Sequence, residues 1–247
     1  MRTVTISIVS HGHAAMLPLL LADIAACPEV ARVILTLNIP EQDFAISQSE
    51  QLLIISNVKP KGFGANHNAA FFQHTRTPYF VVLNPDIRIP DNVFPSLIQC
   101  LEKEDVALVA PRVLSPLGLV EDSARRFPSP VGLALKALGL DDGHLEYRGK
   151  EPCITVPWVA GMFMMLRSID FKATHGFDEG YFMYYEDVDL CTRLWSARRG
   201  VHLQHFVSVV HDARRASRHD LRHMTWHLVS MVRYFAKHFS RLPKVFS

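Results

Sequence analysis

Glu186, Asp187 and Asp189 stand within four positions, directly behind an aromatic run, in "GYFMYYEDVDLCTRL" from 180 to 194. Carboxylates so close repel one another and resist burial beside Phe and Tyr. A carboxylate next to Tyr184 and Tyr185 is pushed toward a raised pKa, which suits a general base near neutral pH. Acids in a first helical turn also complement the helix dipole, for about 1 kcal/mol or less each, with Arg193, Arg198 and Arg199 at the far end. Capping accounts for the acids but not for the aromatic approach, so both readings stand on these residues.

Asn84 and Asp86 in "NPDIRI" follow a buried apolar run. A carboxylate there is firmly held and faces solvent, and it can bind a divalent metal bridging a diphosphate. Asn, Pro and Asp are equally turn formers. In "NVKPKGFGANHNAA", Gly62 and Gly64 precede Asn66 and Asn68. Backbone N–H groups at a helix start there can approach phosphate or sugar oxygens. A loop with a helix cap is the plain alternative, and GxGxxG is absent. His211, ahead of "DARRAS" with Arg214 and Arg215, is either structural or faces a phosphate or metal. His11 and His13 flank Gly12, but with thirteen histidines in the chain no single one stands out.

These residues need elements to hold them. Residues 3–10, 30–38, 52–57, 79–84 and 106–111 read as buried strands, and 13–26, 66–75 and 93–104 as helices. The alternation predicts an α/β fold with a largely parallel sheet. Sites in such sheets lie beyond the carboxyl ends of the strands, which here carry "SHGH", "LNIPE", "NVKPKGFG" and "NPDIRI". Residues 112–153, rich in Pro, Gly and charge, read as a mobile connection with a short helix near 131–138. "CITVPWVAGMFMMLR" is strand-like. Residues 188–199 read as a helix with Val188, Cys191 and Trp195 on one face, and 201–210 as a strand. From 222 an amphipathic helix follows, with Met224, Leu228, Met231, Val232 and Phe235 along one side.

The chain has 247 residues, about half apolar and a fifth charged, which excludes a disordered protein. Cys27, Cys100, Cys153 and Cys191 are far apart and form no CxxC, so neither a zinc knuckle nor a disulfide framework is expected, and a reducing compartment fits. The N-terminus reads as a strand and not as a signal peptide, and no apolar stretch is long enough to span a bilayer. The net charge of +2 hides an asymmetry: residues 211–247 carry eight Lys/Arg against two Asp, a net +6, leaving −4 on the first 210. Such a tail suits an anionic surface, either phospholipid or nucleic acid.

Taken in order, "TISIVSHG", "NVKPKGFGANHNAA", "VVLNPDIRI" and "WVAGMFMMLRSIDFKATHGFDEGYFMYYEDVDLCTRL" resemble family 2 glycosyltransferases of the GT-A fold, most closely the bacterial rhamnosyltransferase-like branch. The last segment is the most specific, and the trailing "HDARRAS" also matches. The resemblance implies the nucleotide-diphospho-sugar transferase architecture: one domain with a mostly parallel central sheet flanked by helices. Its parts would be a donor half over 1–115, an acceptor half over 116–210 and a basic helical segment over 211–247. It implies inverting transfer of a sugar, rhamnose from dTDP-rhamnose preferred, to a hydroxyl of a growing surface polysaccharide or lipopolysaccharide. Asp187 would be the base. Asp86 and His211 would hold Mg²⁺ or Mn²⁺. Ser10, Gly12, Asn38, Lys61, Gly62, Asn66, Asn84 and Asp86 would bind the donor, a dTDP or UDP sugar. Trp158, Gly161, Asp178, Glu179, Tyr185 and Glu186 would line the acceptor side. The expected location is cytoplasmic, peripheral on the inner face of the membrane, where lipid-linked acceptors lie. The chain departs from the family at Leu37, where an Asp that helps recognise the base is usual, and at Lys61, where Asn is frequent.

Two rival functions make different demands. A sugar-phosphate nucleotidyltransferase needs a Gly-rich loop with a basic residue after the first strand, which "SHGHAAML" lacks. A nucleic-acid binder would use the basic tail, but Trp226, Tyr234 and Phe235 there fit helix packing better.

Overall fold

In the computed structural model the elements follow in the order β1 (Val4–Ser10), α1 (Leu17–Ala25), β2 (Val30–Leu37), β3 (Leu52–Ser56), α2 (Phe63–His74), β4 (Tyr79–Leu83), β5 (Ile87–Arg88), α3 (Phe94–Leu101) and β6 (Val106–Leu114). Then come β7 (Ala124–Arg125), α4 (Pro130–Ala137), β8 (Cys153–Thr155), β9 (Trp158–Val159), β10 (Phe163–Arg167), α5 (Ser168–Ala173), α6 (Glu186–Ser196), β11 (Gly200–His211) and α7 (Leu221–His238). The structure describes all residues except 1, 43, 122, 141–144, 146–150, 213–220, 239–241, 244 and 246–247. Parts of the expected mobile connection, and Ser217 of the trailing motif, therefore lie outside the described residues.

Eight strands of the nine-stranded sheet run β3-β2-β1-β4-β10-β6-β11-β5, and β8 pairs with β11. β3, β2, β1 and β4 are parallel, β10 runs against both β4 and β6, and β11 is again parallel to β6. The β-branched strands are buried on both faces, as parallel strands between helices must be. Along β4, Val81 and Leu83 enter the layer formed with Leu17 and Leu20 of α1 and Phe94 and Leu97 of α3. Phe80 and Val82 enter the opposite layer, with Phe71 of α2, Phe171 of α5 and Leu190 and Leu194 of α6.

Several bounds differ from the sequence expectation for physical reasons. α1 starts at Leu17 because Pro18 sits in its first turn, where a missing N–H costs nothing. The single apolar stretch at 153–167 becomes three strands, interrupted at Pro157 and Gly161. β11 runs on to His211, which pairs with Ile87 of β5 and so joins the sheet instead of following it.

The largest difference is at α7. Of the residues expected along one side, Met224, Leu228 and Val232 are 65%, 55% and 59% exposed. The face that docks is polar and aromatic. Ser230 Oγ donates to the Met183 carbonyl, Tyr234 meets Thr192, and His238 meets Asp189. Met231 and Phe235 pack at its edge against a cluster of Tyr181, Tyr185, Val188 and Tyr234. The apolar periodicity is real, but the partner surface offers carbonyls and hydroxyls, so the histidine and tyrosine face turns inward.

Candidate active site

α6 begins without a capping side chain, and its N-cap Tyr185 is left-handed at φ 65. Tyr184 before it is left-handed too, at φ 71. Two consecutive non-glycine residues in this region store strain, of order 1–3 kcal/mol each, that surrounding contacts must hold. α7 supplies them. The Tyr184 hydroxyl lies 2.7 Å from His223 Nδ1, and His227 packs against both tyrosine rings. The wound segment delivers Glu186 and Asp187 to a cavity of about 350 Å³ that Arg125, Arg126, Trp158 and Tyr185 also line.

Asp187 is fixed by the backbone. Gly161 N–H donates to Oδ2 at 3.0 Å and Val188 N–H donates to Oδ1 at 2.8 Å. Burial raises its pKa, and these amides offset part of that. Glu186 is more deeply buried, its Oε2 has no partner, and burial followed by the Asp187 charge pushes its pKa well up. Asp189 plays a different part. It is wholly buried and paired with Arg193 and Lys237, each at 2.7 Å, and with His238 at 2.8 Å. The three acids therefore divide into one held base candidate, one carboxyl that favours its proton, and one structural anion.

The Gly161 turn joins this cavity to the other motif. Asn84 N–H, at the end of β4, donates to the Met162 carbonyl at 2.9 Å. Asp86 follows, with Oδ2 at 3.2 Å from His211 Nε2. Glu121 Oε2 lies 2.6 Å from the other ring nitrogen. Both carboxylates accept, so both ring nitrogens carry protons in this state. Burial pulls the His211 pKa down, but Asp86 and Glu121 outweigh it and raise it to about 9. Asp86 Oδ1 is buried without a partner. Among the described residues no three His, Cys, Asp or Glu side chains are arranged to hold a metal ion by themselves. Glu121 faces the far nitrogen of His211, away from Asp86. Sequence reading missed Glu121, because its proximity arises only when β11 brings His211 back beside the loop after β6.

Among the residues expected to bind the donor, the amides hold one another. Asn38 Oδ1 accepts from Lys61 N–H at 2.8 Å and from Asn57 Nδ2 at 2.9 Å, and Asn66 Oδ1 accepts from Asn57 Nδ2 at 2.7 Å. This network shapes the loop before α2 and leaves Lys61 exposed. Glu41, also unforeseen, accepts from Ser10 Oγ at 2.5 Å and Gly12 N–H at 2.8 Å. Burial opposes its charge, but these hydrogen bonds hold its carboxyl below the usual range. Asp178 pairs with Arg233 and Lys237 of α7, and Glu179 accepts from Asn68. Neither lines the cavity.

The two glycines of the loop also have a packing reason. A Cβ at Gly62 would lie 2.7 Å from the Phe182 carbonyl, and one at Gly64 would lie 2.6 Å from Phe177 Cβ. Gly64→Ala is expected to cost roughly 1–3 kcal/mol by overpacking. Thermal denaturation beside nucleotide titration checks this. A lower Tm with unchanged nucleotide Kd marks packing, and the reverse marks phosphate approach.

No protein-family model matches the chain. The rhamnosyltransferase WbbL of Escherichia coli K12 is 33% identical over an alignment of 274 positions, spanning 98% of this chain and 99% of WbbL. The chain belongs to the rhamnosyltransferase-like family 2 glycosyltransferases. An N-acetylglucosaminyl-diphospho-decaprenol L-rhamnosyltransferase of Mycobacterium tuberculosis is 31% identical over 60% of the chain and 52% of its own length. The architecture is that of solved GT-A glycosyltransferases. GalNAc-T7 with UDP, GalNAc and Mn²⁺ superposes with a TM-score of 0.70 at 12% identity, over 88% of this chain and 44% of that one. The Pyrobaculum calidifontis mannosyltransferase with GDP-Man and Mn²⁺ gives 0.65 at 14%, over 99% and 66%. At such identities the likeness speaks to fold alone. This glycosyltransferase is thus related to enzymes of glycan assembly, and the nucleotidyltransferase reading is not favoured.

Proposed function

We propose that this glycosyltransferase moves L-rhamnose from dTDP-rhamnose to a hydroxyl of a lipid-linked, diphosphate-bearing sugar, with inversion, at the cytoplasmic face of the membrane. The observation that carries it is the Asp187 carboxylate. It is held by two backbone amides in a cavity and tied through Gly161 and Met162 to the Asn84–Asp86 turn. Asp187 takes the proton of the attacking hydroxyl. Glu186, holding its own proton, donates a hydrogen bond to the acceptor. Arg125 and Arg126 suit an anionic acceptor, and Trp158 and Tyr185 suit a sugar ring or lipid stem. A relative named for a diphospho-decaprenol acceptor supports that class. We assign residues 1–115 to the donor half and 116–210 to the acceptor half. The amide network around Asn38 and Asn66 and the Glu41-bound Ser10–Gly12 turn shape the donor half.

The residues also suit a divalent ion. Asp86 offers a buried oxygen without a partner and His211 an imidazole, so Mg²⁺ or Mn²⁺ would need only diphosphate oxygens and water to complete its shell. When bound, such an ion neutralises charge on the departing diphosphate. Glu121 orients the His211 ring from behind, as carboxylates do for ligating histidines. Glu121→Ala is expected to weaken Mn²⁺ binding by about 10- to 100-fold. Electron paramagnetic resonance of free Mn²⁺, with dTDP present, measures it without any turnover.

The function is tested with purified protein, dTDP-rhamnose, Mn²⁺ and a short-chain N-acetylglucosaminyl diphospholipid. A rhamnosylated product is the expected result. Transfer only from another nucleotide sugar would overturn the donor assignment. Pyrophosphate release from a nucleoside triphosphate and a sugar phosphate would overturn the reaction class.

A further inference from the structure

α7 has two working faces. The inner one holds the Tyr184–Tyr185 segment, and its His227 lines the cavity. The outer one exposes Met224, Leu228, Val229 and Val232 at 65%, 55%, 60% and 59%. These positions fall on one arc of the helix, two turns long. Beside them Trp226 stacks on Phe182, itself 38% exposed, with ring centroids 4.8 Å apart. The helix belongs to a C-terminal stretch of net charge +6 on a chain whose remainder is −4. An exposed aliphatic arc flanked by an aromatic pair, within a basic segment, is the composition of a helix lying in a lipid interface. A second copy of the chain fits less well. The four side chains present on the order of 400 Å², about half of the ~800 Å² per partner that a stable protein interface buries.

We propose that the outward face of α7 is a lipid-docking surface that seats the enzyme on an anionic bilayer. The helix is about 10 Å across, so docking holds the acceptor cavity one helix diameter from the lipid. This deepens the lipid-linked acceptor reading by naming the surface that meets the membrane. It is tested by binding and not by transfer, so either can fail alone.

The experiment is co-sedimentation of the full chain with phosphatidylglycerol-rich vesicles and with phosphatidylcholine vesicles. The wild-type protein is expected to partition onto the anionic vesicles, less so at high salt, with a blue shift of tryptophan fluorescence. Leu228→Glu with Val232→Glu is expected to lower partitioning at least tenfold. Circular dichroism and transfer to a water-soluble acceptor should be unchanged. Leu228→Gln, gentler on folding, should give a smaller loss in the same direction. The proposal is overturned if the wild type ignores anionic vesicles or if folded variants bind equally well. It is also overturned if light scattering finds a wild-type dimer that the variants dissociate, which would make the face an interface between copies.

Discussion

Replacing Asp187 by asparagine is expected to lower kcat by about a hundred- to ten-thousandfold, the usual worth of a positioned general base. The amide keeps the size of the side chain, and its oxygen can still accept from one of the two N–H groups that now hold the carboxylate. The fold should therefore survive, with Tm near wild type, and donor KM should change little. The pH profile gives the second measurement. Burial raises the Asp187 pKa and, with the Asp187 charge beside it, that of Glu186. The acid limb of the rate profile should thus lie above the ordinary carboxylate range. Glu186→Gln keeps a donor and removes only the neighbouring proton, so it should leave that limb in place while acceptor KM changes modestly. Full transfer by folded Asp187→Asn would remove the base assignment.

Asp189→Asn is expected to be the costliest change near the site for stability, at about 3–5 kcal/mol, and to leave the cavity chemistry untouched. Asp189 has no solvent exposure and is shared by Arg193, Lys237 and His238, so its loss removes the buried anion that joins α6 to α7. For a domain of this size that is a fall in Tm of roughly 10 °C. Burial opposes the charge, yet His238, Arg193 and Lys237 together hold the carboxyl well below the usual range. A depressed folded pKa means the stabilisation is complete above the unfolded value, about 3.9, and is lost as pH falls below it. Wild type should therefore lose stability steeply in acid, and the asparagine variant less so. Calorimetry at neutral pH and across the acid range checks both. Equal acid slopes would show that Asp189 is not the group being titrated.

The sheet was legible because buried strands such as β1, β2 and β4 carry β-branched residues that no amphipathic helix would tolerate in that density. The Asp187 segment stood out in the sequence because its acids follow an aromatic run that capping does not account for. What stayed hidden depended on distant pieces meeting. Glu121 and Glu41 are loop carboxylates whose partners lie 90 and 31 residues away, and nothing local marks them. Asp178 was taken toward the acceptor because it sits in "GFDE", but α7 returns to claim it with Arg233 and Lys237. The facing of α7 was not legible for a related reason. Periodicity tells which residues share a side, but not whether the surface awaiting them is oily or polar.

The amide network of Asn38, Asn57 and Asn66 has a consequence for how the enzyme responds to its surroundings. Amides do not titrate, hydrogen bonds hold the Glu41 carboxyl below the usual range, and Asp86 and Glu121 raise the pKa of the His211 imidazole to about 9. The hydrogen bonds that shape the loop before α2 therefore depend on no carboxylate. Burial instead raises the carboxyls of Asp187 and Glu186 above the usual range. If residues 1–115 bind the donor as proposed, acidification should lower turnover before it weakens nucleotide binding.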